Sequence, residues 1–161
     1  ILLFTSIILL SCSDKKSSNP NSADVVIYGG TSAGITAAIE TARLGKSVIL
    51  IEPTNRLGGL TTGGLGQTDI GNKQVIGGIS REFYKNIKTH YNDSLNWKWQ
   101  TKSEYVDGGQ TRTGIYEDAM WTFEPSVALK VFHKMIENLN IQIIYNERLN
   151  RKTGVKKKLI P

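Results

Sequence analysis

The chain has 161 residues, 39% of them hydrophobic, with 20 basic against 14 acidic residues and a net charge of +6. Its single cysteine excludes an internal disulfide framework and a four-thiolate iron–sulfur site. Part of the positive charge collects in Arg148, Arg151, Lys152, Lys156, Lys157 and Lys158 near the end. No nucleic-acid-binding module accompanies it, so it reads as a solvated face and no nucleic-acid partner is expected.

Ile1 to Leu10, ILLFTSIILL, is apolar but shorter than the roughly 20 residues that span a bilayer. It matches the apolar core of a secretory signal. Leu9-Leu10-Ser11-Cys12 resembles the lipobox of bacterial lipoproteins, which implies that residues 1–12 are a signal peptide and that Cys12 is diacylated. A plain signal peptide is the alternative. The expected location is then outside the cytoplasm, on a membrane of the periplasm or outer membrane of a Gram-negative bacterium. Residues 13–23, SDKKSSNPNSA, are polar and without periodicity, and read as a flexible tether to the domain at 24–161.

Asp24 to Glu52 is the most informative stretch. Val25-Val26-Ile27-Tyr28 reads as a buried strand, followed by Gly29, Gly30, Thr31, Ser32, Ala33 and Gly34. Ile35, Ala38, Ile39 and Ala42 then recur at the spacing of one helix face, and Gly45 stands where such a helix would end. Val48-Ile49-Leu50-Ile51 is a second buried run that stops at Glu52, 23 residues after Gly29. Strand, glycine turn, helix, strand and acid make up a dinucleotide-binding βαβ unit. Gly29 lets the chain turn sharply, Gly34 lets the helix pack close to the sheet, and the helix N-terminus faces a pyrophosphate. Thr31 stands where the middle glycine of G-x-G-x-x-G is expected, so its hydroxyl or that of Ser32 offers a donor there. Gly45-Lys46-Ser47 has the tail of a phosphate-binding loop, but the glycine such a loop requires is Glu40.

Residues 53–78 carry eight glycines interspersed with Leu57, Leu60, Leu65, Ile70, Val75 and Ile76. That density predicts a functional loop without structure of its own, whose backbone approaches something closely. Gly78 to Tyr91 predicts a helix with Ile79, Phe83, Ile87 and Tyr91 on one face. Trp97, Trp99 and Trp121 follow, with Trp97 and Trp99 alternating as strand residues do. Such aromatics either pack on the core or stack on sugar rings. Pro125 suits the first turn of a helix over 126–139, with Ala128, Phe132, Met135, Ile136 and Leu139 on its stripe and His133 facing solvent. Ile141 to Tyr145 predicts the third parallel strand, and Val155 to Pro161 the start of a β-hairpin.

Asp24 to Gly34, Glu52 with Arg56-Leu57-Gly58-Gly59, and Gly63-Gly64-Leu65-Gly66 together resemble the amino-terminal part of the FAD-dependent oxidoreductases. The likeness runs from about Asp24 to Val155, and in more detail the stretch is similar to a secreted bacterial subgroup, some of whose members carry the label xanthan lyase. Phe123-Glu124-Pro125 with Val127-Ala128 is similar too, although Ser126 stands where the family has a histidine. The resemblance implies a Rossmann-like α/β fold of the glutathione-reductase type, FAD as cofactor, and hydride transfer between an unknown small-molecule or carbohydrate-derived substrate and the flavin. It implies cofactor-binding roles for Gly29, Gly30, Thr31, Ser32, Gly34, Glu52, Arg56, Gly58 and Gly59. It assigns no catalytic residue and no metal. Family members continue through a β-meander, a last strand closing the cofactor site and a substrate domain, so the chain reads as an amino-terminal fragment. A NAD-binding dehydrogenase and a non-catalytic glycan-binding lipoprotein using Trp97 and Trp99 are the alternatives.

Overall fold

The computed structural model describes residues 22–67, 69–105 and 116–154. The signal segment with Cys12, most of the tether and the 155–161 hairpin arm lie outside the described residues. The order is β1 (Val25–Tyr28), α1 (Ser32–Arg43), β2 (Val48–Glu52), α2 (Leu60–Gly63), α3 (Gly78–Asn92), α4 (Pro125–Ile136) and β3 (Ile141–Tyr145). The three strands form a parallel sheet ordered β1-β2-β3, with Ile27 beside Leu50 and Leu50 beside Ile143. This is a mixed α/β, Rossmann-like arrangement. No described helix is long and apolar enough to cross a membrane.

Side chains alternate across strands, so Ile27, Val48, Leu50, Ile141 and Ile143 meet one helical layer. That layer is α1, through Ile35, Ala38 and Ile39, backed by α3 and α4. Phe83 of α3 stacks on Phe132 of α4 with ring centroids 4.5 Å apart. Tyr91, at the end of α3, donates to the Glu124 carboxylate at 2.9 Å and accepts from the Glu124 N–H, fixing the entry to α4.

Four expectations are corrected. β1 is not buried: Val26 is 58% and Tyr28 50% exposed, because β1 is the edge of the described sheet and its second face is uncovered there. The predicted last helix ends at Ile136 rather than 139, since Asn138 takes a left-handed φ of 65°; Leu139 still packs on the core. Residues 53–78 do have structure of their own, α2 and a 3-10 turn at Lys73–Val75. Trp97 and Trp99 are not in a strand; they follow a 3-10 turn at Ser94–Asn96. Trp97 packs between Tyr91 and Tyr105, each 5.2 Å away between centroids, and Trp121 is fully buried.

Candidate functional site

The first glycine turn closes on itself tightly. Gly29 has φ +105°, donates its N–H to the Ile51 carbonyl at 2.8 Å, and has no described residue within 4 Å of where a Cβ would stand. Among the described residues the turn is open on that side. A Cβ on Gly34 would lie 2.0 Å from the Gly29 carbonyl oxygen, so only glycine lets α1 start this close to β1. Thr31 caps α1: its hydroxyl accepts from the Gly34 N–H at 3.3 Å, and its carbonyl accepts from Ile35 at 2.9 Å. Helix geometry leaves the N–H groups of Ser32 and Ala33 without an intrahelical acceptor; a parallel bridge of Thr31 to Gly58 turns the Ser32 N–H to the Gly58 carbonyl, which leaves that of Ala33. They sit at the positive end of the helix dipole, and Ala33 is exposed. Such an end receives an anion.

The second glycine segment is stitched onto the first. Gly58 donates its N–H to the Gly30 carbonyl at 2.7 Å, and Thr31 and Gly58 form a parallel bridge. Ser32 Oγ donates to the Gly58 carbonyl at 3.1 Å and lies 2.7 Å from Thr61 Oγ1. A hydroxyl has one hydrogen, so Ser32 is committed to this seam and Thr61 is the donor to it. Gly58 and Gly59 have φ of +97° and +54°, where side chains are strained. Arg56 reaches the Thr62 carbonyl with Nε at 2.9 Å and Nη2 at 2.5 Å, while the buried Thr62 hydroxyl donates to the Leu57 carbonyl. The Arg56 guanidinium thus holds α2 in place.

Glu52 is 7% exposed and bonded at both oxygens. Oε2 accepts from the Gly30 N–H at 2.7 Å; Oε1 accepts from the Thr54 N–H at 2.8 Å and the Thr54 hydroxyl at 2.7 Å. Burial alone would push the carboxyl up, but the Thr54 and Gly30 donors and the charge of Arg148 outweigh it, and the group lies below its ordinary value. Glu52 is an ionised anchor of the glycine turn.

Gly29, Gly30, Thr31, Ser32, Gly34, Glu52, Gly58 and Gly59 therefore share one corner of the fold, with Arg56 directed to α2 and Cys12 outside the described residues. Thr54 and Thr62 belong to this corner and escape motif reading, while Leu57, quoted with the second glycine motif, is fully buried there. A threonine two residues past an acid at a strand end is the signal that points to Thr54. Away from the corner, a cavity of about 290 Å³ is lined by Tyr91, Trp97, Trp99, Tyr105, Phe123 and Glu124 among others. No group of three or more His, Cys, Asp or Glu able to hold a metal occurs among the described residues.

Topology and corner together define a dinucleotide-binding protein of the Rossmann class. A family model described as FAD dependent oxidoreductase matches residues 24–159, and the chain belongs to that family, whose cofactor is FAD rather than NAD. Among curated proteins, none matches. Among solved structures, the 3-ketosteroid-delta4-(5alpha)-dehydrogenase from Rhodococcus jostii RHA1, in complex with 4-androstene-3,17-dione, is similar, with 19% identity and a TM-score of 0.40. The match covers 77% of this chain and 38% of that one.

Proposed function

We propose that the chain is the FAD-holding amino-terminal portion of an oxidoreductase that moves a hydride between a small-molecule substrate and the flavin. FAD, when bound, supplies the hydride chemistry at its N5 atom. The observation that carries the proposal is the start of α1, where the exposed Ala33 has an N–H without an intrahelical acceptor beside an open glycine turn. In this proposal Gly29, Gly30, Thr31, Ser32 and Gly34 shape the pyrophosphate cradle. Glu52 binds the adenosine ribose, and Gly58 and Gly59 lie along the pyrophosphate and flavin. Arg56 contributes by holding α2.

The test uses the exposed second position of α1 in the full-length protein. An acid there suits the helix dipole but repels a pyrophosphate. Ala33→Asp should lose bound flavin absorbance and weaken FAD binding by at least about tenfold, with apo-protein melting unchanged or raised. FAD binding as tight as in the parent would overturn the assignment.

The same proposal places residues 1–12 as a lipoprotein signal, 13–23 as a tether and 24–161 as part of the cofactor domain, with Cys12 holding an exported protein on a membrane. The lipobox-like LLSC and the polar stretch after it support this. For the substrate, the aromatic cavity with Trp99 88% exposed supports a carbohydrate-derived molecule.

A further inference from the structure

Thr54 lies outside every cofactor motif, yet it makes two of the three bonds to the Glu52 carboxylate. Its hydroxyl hydrogen has two acceptors within reach, Glu52 Oε1 at 2.7 Å and the Arg56 carbonyl at 3.2 Å. The shorter, charged partner takes it. Its backbone is fixed from the other side, where its carbonyl accepts from the Asn146 N–H at 3.1 Å, just past β3. An ionised carboxylate offers about four acceptor sites. Thr54 fills both sites on Oε1 and Gly30 fills one on Oε2, so among the described residues one site is left, and it is on Oε2.

We propose that Thr54 is a positioning residue for cofactor binding, holding Glu52 so that its one remaining acceptor site, on Oε2, takes a single ribose hydroxyl of the dinucleotide. This rests on Glu52 being the ribose-binding acid. Without the threonine hydroxyl the carboxylate is still held by the Gly30 and Thr54 N–H groups, one at each oxygen, but a second acceptor site opens on Oε1. Either oxygen can then take a ribose hydroxyl, and the site discriminates poorly between them.

The experiment titrates the full-length apo-protein with FAD and with two analogues whose adenosine ribose lacks the 2′- or the 3′-hydroxyl, following flavin fluorescence. The parent should prefer FAD over one analogue by about ten- to hundredfold, the worth of a hydrogen bond to a charged group, and should treat the other nearly as FAD. Thr54→Val keeps the backbone donor and removes the hydroxyl, and should shrink that preference to within about threefold; Thr54→Ser should restore it. Thr54→Ala repeats the comparison if the valine variant does not fold. A purely structural role would weaken all three ligands alike. Unchanged preference in Thr54→Val overturns the role of Thr54, and equal loss with both analogues overturns the single-hydroxyl site. No preference in the parent overturns the ribose assignment of Glu52 itself.

Discussion

At the scale of the residue, Glu52 carries two duties that a glutamine cannot both perform. Its carboxylate faces three donors, one from Gly30 and two from Thr54. An amide would turn its NH2 toward one of these groups, setting donor against donor and leaving a buried N–H without an acceptor. Glu52→Gln should therefore cost about 1–3 kcal/mol of stability at pH 7 even without cofactor. The pH dependence has a definite sign. Because the folded-state carboxyl lies below its ordinary value of 4.5, its contribution is present above that pH and is lost as pH falls through the depressed value. The Arg148 charge favours the ionised form of Glu52, and burial together with the Glu52 charge raises the Tyr145 phenol. Protonated Glu52 presents the same donor conflict as glutamine, so the stability gap should close in acid. Denaturant midpoints of both proteins from pH 7 downward check this; a gap independent of pH would count against Glu52 as the ionised anchor.

At the scale of the element, legibility followed periodicity. α1 and α3 were readable because Ile35, Ala38 and Ile39, and Phe83, Ile87 and Tyr91, repeat at helical spacing and are the buried positions. β2 and β3 were readable as β-branched runs, Gly29 and Gly45 as turns that require a positive φ, and Gly34 as the close approach of α1 to the turn. Glycine density announced a backbone in close approach, but neither its seam with residue 30 nor α2, whose four residues depend on Arg56 and Thr62 bonding to backbone carbonyls. Such side-chain to backbone bonds leave no periodic trace. The aromatic stretch misled for a related reason: Trp97 and Trp99 differ by two positions, yet Trp97 packs inward while Trp99 is 88% exposed, without any strand pairing. If this surface receives a carbohydrate-derived substrate, an oxidisable sugar should bleach the flavin of the holoprotein under anaerobic conditions. Trp99→Ala should then raise the KM about two- to tenfold, since ring stacking is worth about 0.5–1.5 kcal/mol. An unchanged KM would remove Trp99 from the substrate surface.

At the scale of the whole molecule, the main core under the sheet is joined by a smaller cluster of Ile70, Ala119 and Trp121, with Tyr84 packing against both. The proposed cofactor corner belongs to the main core through Leu57, which is fully buried. Anchoring is a property of the molecule as a whole. If Cys12 is diacylated, two acyl chains suffice for stable attachment, and Cys12→Ala expressed with the natural amino terminus should move from the membrane to the soluble fraction. Mass spectrometry showing an unmodified Cys12 in a membrane-bound parent would overturn the lipid anchor. The bond from the Gly30 N–H to Glu52 crosses 22 residues of chain and ties the glycine turn to the end of the neighbouring strand. Fixing a residue's backbone costs about 1–2 kcal/mol of conformational entropy. Here that cost is met during folding, so the turn stands in its final shape before any nucleotide arrives, and more of the contact energy remains as affinity.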